Sequence, residues 1–260
     1  STVCWPYFYT ILTEVIMKTI PYMGSKRKLL SFIEDSLQDY IGDTELTSFF
    51  DAFAGSGRVG HHFRHKYKII ANDRQSYTKV ILEAYLQNTQ SVDYYTGAIN
   101  HLNALTEEHW ANTDGWYANT YGCPVNDGCS IGADGNPKPW VDYNARKIDS
   151  IRYEIDKMYP TGCTEKSVLL LSLMLGVSKI SNWMGHQTGY FKDWKKGKLR
   201  NLHLEVPPIE SAHTHNHIVH CKDMYDIIDK VETDITYIDP PYGTNNKKVS
   251  RTGGCRYDTF

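Results

Sequence analysis

The sequence predicts an α/β chain built on a parallel sheet, and three stretches predict it. Residues 47–63, TSFFDAFAGSGRVGHHF, read as a short apolar strand, a glycine-rich turn and a helix. Residues 67–73, YKIIAND, read as a second strand ending in Asn72-Asp73, with a helical stretch over 76–89. Residues 234–246, DITYIDPPYGTNN, place Ile235, Tyr237 and Ile238 on a short buried strand that stops at Asp239, because Pro240 and Pro241 cannot donate ladder hydrogen bonds. Strand, glycine turn, helix and strand form a βαβ unit, whose crossover requires parallel strands.

The remaining elements follow in order. Residues 1–16 are apolar but lack the basic start and small-residue cleavage site of a signal peptide, and read as an extension ahead of Met17. Leu29, Leu30, Ile33, Leu37 and Tyr40 recur at helical spacing over 26–40. From about residue 97 to 163 the chain turns rich in Gly, Asn, Asp, Pro and aromatics, the mark of an inserted or functional loop region. Within it, residues 145–158 read as helix. Residues 164–183 predict a strongly buried helix with Thr164 as its N-cap, and residues 218–228 a strand followed by a turn. The resulting division is an extension, 1–16; a first catalytic part, 17–96; an insertion, 97–215; and a second catalytic part, 216–260.

Composition narrows the function classes. Hydrophobic residues at 41% and charged residues at 22% fit a globular chain with a sizeable core. Aromatics reach 13%, enough for core packing with rings left for stacking. A net charge of -2 excludes a polycation, so any nucleic-acid contact comes from local patches. The six cysteines form no CxxC pair, which fits free thiols in a cytoplasmic setting. No apolar run approaches the roughly 18 residues of a membrane span, so no membrane partner is expected. His213, His215 and His217 alternate before the strand at 218, but without the cysteine pairs or i, i+4 spacing of structural zinc sites they predict a histidine-rich loop and no metal site.

Two motifs carry chemistry. Gly55 and Gly57 allow a sharp turn and close approach of a ligand to the backbone. Asp73, at the end of the next strand, stands where doubly wound folds place a ribose-binding carboxylate. Together they indicate an adenosine-type ligand and leave NAD, FAD and S-adenosylmethionine open. The second motif is the strand end Asp239-Pro240-Pro241-Tyr242.

In sequence order, PYMGSKRKL (21–29), DAFAGSG (51–57), ND (72–73), CKDMYDII (221–228) and YIDPPYGTNN (237–246) resemble the D12-class, Dam-like DNA adenine methyltransferases. KISNWMGHQTGYFK (179–192) also resembles a segment of that class. The resemblance touches roughly residues 20–95 and 165–250, and the order of the five motifs is its specific part. It implies a Rossmann-like S-adenosylmethionine-dependent methyltransferase fold with an inserted target-recognition region. The implied reaction moves a methyl group to N6 of a flipped adenine in double-stranded DNA.

The residue chemistry agrees. Adenine N6 is a poor nucleophile because its lone pair is conjugated into the ring. The Asp239 carboxylate and the Pro240 carbonyl, aimed by the fixed proline φ, can hold its two N–H bonds, while Tyr242 offers a stacking face. On the resemblance, Tyr22, Gly24 and Lys26 close over the methionine end of the cofactor, and Phe53 and Gly55 form the glycine turn. Asp73 binds the ribose, and Asp223 reads the cofactor adenine. Asp51 is a candidate for the cofactor ammonium or for a turn.

Residues 179–200 concentrate Lys179, Lys192, Lys195, Lys196, Lys198 and Arg200 among Tyr190, Phe191 and Trp194, and Lys247 and Lys248 follow the catalytic motif. Both runs are candidate phosphate contacts. The alternatives are an RNA adenine-N6 methyltransferase, or a truncated, inactive cofactor- or nucleic-acid-binding module. The second arises because only Gly243–Phe260 follow the catalytic strand, and truncation is expected there. A cognate restriction endonuclease and the oligomeric state stay open.

Overall fold

A computed structural model describes residues 16–22, 24–106, 109, 115–125, 128–184 and 189–241. After a 3-10 turn at Lys26–Lys28, helix α1 (Leu30–Ile41) leads to strand β1 (Ser48–Asp51). Helix α2 (Arg58–Phe63), strand β2 (Lys68–Asn72) and helix α3 (Ser76–Leu86) complete the first βαβ unit. Helices α4 (Val92–Asn103) and α5 (Trp116–Tyr121) follow, then the two-residue strands β3 (Gly122–Cys123) and β4 (Trp140–Val141). Helices α6 (Asp142–Met158) and α7 (Thr164–Ile180) precede strands β5 (Ile218–His220) and β6 (Ile235–Tyr237).

The four longer strands form a parallel sheet in the order β5-β2-β1-β6. The predicted parallel α/β core is therefore present. Each sheet face has its own apolar layer, as the two-residue strand period requires. Phe49, Ile69 and Ala71 pack with Val59 and Phe63 of α2 and Leu82 and Leu86 of α3. Phe50 and Ile70 pack with Ile227 and Met224 from the turns that follow β5. A third layer joins α3, α4, α6 and α7 through Ile81, Tyr85, Ile99, Leu102, Ile148, Ile151, Val168 and Leu169. Helix α4 spans residue 97, where the sequence changes character.

Two expectations change. Thr164 is the first helical residue of α7, and Cys163 takes the cap position without a side-chain cap bond. The strand around Ile235 and Tyr237 is half-buried, not buried, and Ile238 is 60% exposed. Among the described residues β6 pairs only with β1, so none of them pairs with its other side. Residues 1–15 and 242–260 lie outside the described residues, and with them most of the N-terminal extension, Tyr242, Lys247 and Lys248. Among the described residues no helix is long and apolar enough to cross a membrane.

Polar bonds fix the long return from α7 to β5. Arg64, 1% exposed, donates to both carboxylate oxygens of Glu210 at 3.0 and 2.5 Å and to the His61 carbonyl at 2.5 Å. The Ile69 N–H donates to His217 Nδ1 at 3.0 Å, docking the histidine-rich loop on β2. Burial pushes His61 down to about 3 and His217 to about 4, so both rings are neutral near pH 7. Removing one partner of a buried pair leaves an uncompensated charge. Arg64→Ala is therefore expected to cost about 3–5 kcal/mol of unfolding free energy in a urea titration, whereas replacing an exposed pair such as Arg152–Asp156 costs under about 1 kcal/mol.

Candidate active site

Chain order and spatial order disagree at β1. From β1 the chain moves to β2 and then β5 on one side, and finally returns to place β6 on the other. Open parallel sheets bind ligands beyond the carboxyl ends of the strands at such a reversal. The register aligns those ends: Asp51 lies opposite Ala71 on one side and Tyr237 on the other. A cavity of about 720 Å³ opens there.

The glycine turn forms one wall. Gly55 and Gly57 have φ of +50° and +74°, the left-handed region that disfavours any side chain. A Cβ on Gly55 would also lie 2.8 Å from the Tyr22 hydroxyl, so Tyr22 lies directly over the turn. The Ala54 N–H donates to the Asn72 carbonyl at 2.8 Å and the Gly55 N–H to Asp73 Oδ2 at 2.9 Å, which ties the turn to the end of β2. Asp73 Oδ1 accepts from the Gln75 N–H at 2.8 Å. Burial raises the Asp73 carboxyl above its usual range, and the surrounding N–H donors oppose that shift. Asp73 thus holds the turn as well as lining the cavity.

Asp51 is 1% exposed at the end of β1. Its Oδ2 accepts from the Gly60 N–H at 3.2 Å, and its buried Oδ1 has no hydrogen-bond partner among the described residues. Burial pushes this carboxyl up to about 7; the Gly60 N–H opposes, and the charges of Asp73 and Asp239 add to the rise. Asn72 joins three strand ends, donating to the Ala52 and Lys222 carbonyls and accepting the Lys222 N–H. Asp223 accepts from the Tyr225 N–H at 3.1 Å and lies 3.7 Å from Arg74 Nη1.

Every described residue among the expected cofactor and catalytic positions lines this one cavity: Tyr22, Gly24, Lys26, Phe53, Gly55, Asp73, Asp223, Asp239 and Pro240. Lys26 is the surprise within it, because its Nζ lies 2.5 Å from Asp239 Oδ2. Sequence reasoning left Asn72, Arg58, Arg74 and Lys222 out of the site. For Asn72 the signal was present, since an amide at a strand end beside a ligand acid is suited to joining backbone groups.

A family model described as D12 class N6 adenine-specific DNA methyltransferase matches residues 22–254. The chain belongs to that family. Modification methylase LlaI of Lactococcus lactis subsp. lactis is 31% identical to this D12-class chain over 91% of it and 38% of the relative. Type II methyltransferase M.NlaIII of Neisseria lactamica is 29% identical over 85% of this chain and 64% of its own length. Type II methyltransferase M.FokI of Planomicrobium okeanokoites is 28% identical over 85% and 34%, respectively. The chain therefore spans less than two thirds of each of these relatives.

The basic segment lies outside the cavity and is divided in use. Lys198 Nζ and Arg200 Nη2 donate to the Lys179 carbonyl at 3.0 and 3.3 Å, closing the last turn of α7 where cations oppose the helix dipole. Lys192, Lys195 and Lys196 are exposed. Lys195 also lies 4.8 Å over the Phe191 ring. Trp194 is 8% exposed and packs with Cys123 and Val141, so its ring belongs to the core and not to a stacking surface.

Asp51 sets a pH test. Its folded pKa lies above the unfolded 3.8, so the native state holds the extra proton between about 4 and 7, and its contribution is lost as pH rises through that window. Asp51→Asn carries no such penalty. Its melting temperature relative to wild type is expected to rise between pH 5 and pH 8, measured by thermal denaturation without ligand.

Proposed function

We propose that this chain transfers a methyl group from S-adenosylmethionine to N6 of an adenine flipped out of double-stranded DNA. The observation that carries the reading is the single cavity shared by the glycine turn and Asp239-Pro240. Donor and acceptor sites then lie within reach of one another at adjacent strand ends.

The residues fit the donor. The cavity has the size of a cofactor site. Asp51 presents a buried carboxyl oxygen without a hydrogen-bond partner among the described residues, suited to an ammonium group. Asp73 and Asp223 close the ends of β2 and β5, where hydroxyl and amino donors need acceptors. Gly55 has no Cβ, which lets the Tyr22 ring close onto the turn. When bound, the sulfonium supplies an electrophilic methyl group.

This chain's own part is positioning. Asp239 and the Pro240 carbonyl accept the two N6–H bonds and turn the lone pair toward the methyl carbon. Holding two reactants in line is the main source of rate in such a displacement. Taking the base out of the duplex costs a few kcal/mol, which stacking partly offsets at about 1–3 kcal/mol per base. Tyr242 is assigned that stacking role from the sequence. The target-recognition surface is assigned to 97–215, with Lys192, Lys195 and Lys196 on phosphates. Lys198 and Arg200, tied to α7, take a lesser share. Lys247 and Lys248 remain candidates for the strand beside the catalytic motif. The relatives' designations as modification and type II methyltransferases support a cognate restriction endonuclease as partner. The free thiols of Cys123, Cys129, Cys163 and Cys221 fit a reducing cytoplasm.

Incubation with tritiated donor and duplex DNA, single-stranded DNA or RNA, followed by identification of the labelled base, tests the reading. Label on N6-adenine in duplex DNA is expected; label on RNA alone would move the assignment to RNA. Asp239→Ala should lower transfer at least about a hundred-fold while donor affinity holds. Equal loss of both would contradict its role. Replacing Lys195 and Lys196 by Ala should weaken DNA binding uniformly across sequences and reduce the salt slope by about one per lysine.

A further inference from the structure

Asp239 has a difficult mechanical position. It follows strand β6, which pairs only with β1 among the described residues. The next two residues are prolines, which have no N–H to anchor the backbone. Its neighbour Ile238 is 60% exposed and offers little packing. A carboxylate that must meet a single amino group gains from the restraint of a fixed charged partner.

That restraint comes from the opposite end of the chain. Lys26 Nζ lies 2.5 Å from Asp239 Oδ2, and both side chains are largely buried, 14% and 19% exposed. The same ammonium donates to the Gly24 carbonyl at 3.3 Å, where the backbone has a φ of +81°. The segment before it is anchored in the core. Met17 and Ile20 are each 4% exposed, and the Lys18 N–H and carbonyl both bond the Tyr85 hydroxyl, at 3.1 and 2.5 Å. Arg58 donates to the Thr19 hydroxyl at 3.1 Å. Residues 17–20, close before the lysine in the chain, are thus held in the core.

We propose that Lys26 is a positioning residue for the methyl acceptor: its ion pair fixes the direction of the Asp239 carboxylate so that the flipped adenine meets it already aimed. The sequence resemblance assigned Lys26 to the donor, and the geometry moves its work to the other reactant. A well-hydrogen-bonded charge pair aims better than a lone side chain, because each oxygen committed to a fixed donor removes a rotation. The inference rests on the proposed methyl transfer.

The test compares full-length wild type, Lys26→Gln and Lys26→Arg. Two quantities are measured: donor affinity by equilibrium dialysis, and the single-turnover rate of methyl transfer at saturating donor and duplex DNA. Lys26→Gln is expected to lower the rate about a hundred-fold, the scale of a small misplacement of a reacting group. Donor affinity should stay at the wild-type value, which also reports that the variant folds. Lys26→Arg retains the ion pair and should recover most of the rate. A Gln variant that loses donor affinity but keeps its saturated rate would assign Lys26 to the donor and overturn the inference. So would an unchanged rate, or an Arg variant as slow as Gln. A wild type that binds donor but methylates nothing would overturn the transferase reading and this inference with it; an active wild type with an unaffected Gln variant overturns this inference alone.

Discussion

The site depends on one constraint, the parallel pairing of β1 between β2 and β6. Four residues of β1 align with β2 and three with β6; Asp51 closes both pairings, and Asp73 and Asp239 lie just past them. Shifting a register by one residue would turn each side chain to the opposite face. Asp234 secures the β6 side before its strand begins. Its Oδ2 accepts from the N–H and hydroxyl groups of both Thr47 and Ser48, each at 2.9 Å. Those bonds hold its carboxyl down at about 2. An exposed acid thereby sets the registration of the strand that carries Asp239.

The electrostatics of the cavity follow from that alignment. Strand ends brought side by side collect Asp51, Asp73 and Asp239 in one place. Burial and mutual repulsion act together on Asp51, the most enclosed of the three. Lys26 counters the charge of Asp239, and Asp73 is partly satisfied by backbone N–H groups. A ligand carrying positive charge relieves what remains. A cationic ligand is therefore electrostatically matched to this cavity.

Local pattern made the fold and much of the cavity wall legible in the sequence. Gly55, Gly57, Asp73 and Asp239 each end or follow a short apolar run, and such punctuation can be read without knowing neighbours in space. What escaped was long-range. Nothing local says that Lys26 will meet Asp239, or that Lys198 and Arg200 will spend their donors on the last turn of α7. Charge patterning alone also cannot separate Trp194, which is core, from the exposed lysines beside it. Likewise Ile238 looks like core by residue type; its exposure goes with β6 pairing only with β1 among the described residues.

The Thr47–Asp234 bonds join residues 187 positions apart. Contacts of that range close late in folding, because the chain entropy of a large loop must be overcome before they give any stabilisation. The cavity is consequently a property of the assembled sheet. Its first wall, the glycine turn, is encoded near the start of the chain, and its last, the Asp239 end of β6, near residue 240. A ligand that binds across both walls links the two ends of the chain. It stabilises only molecules in which both walls are assembled, so the concentration of such a ligand shifts the folding equilibrium of the whole sheet.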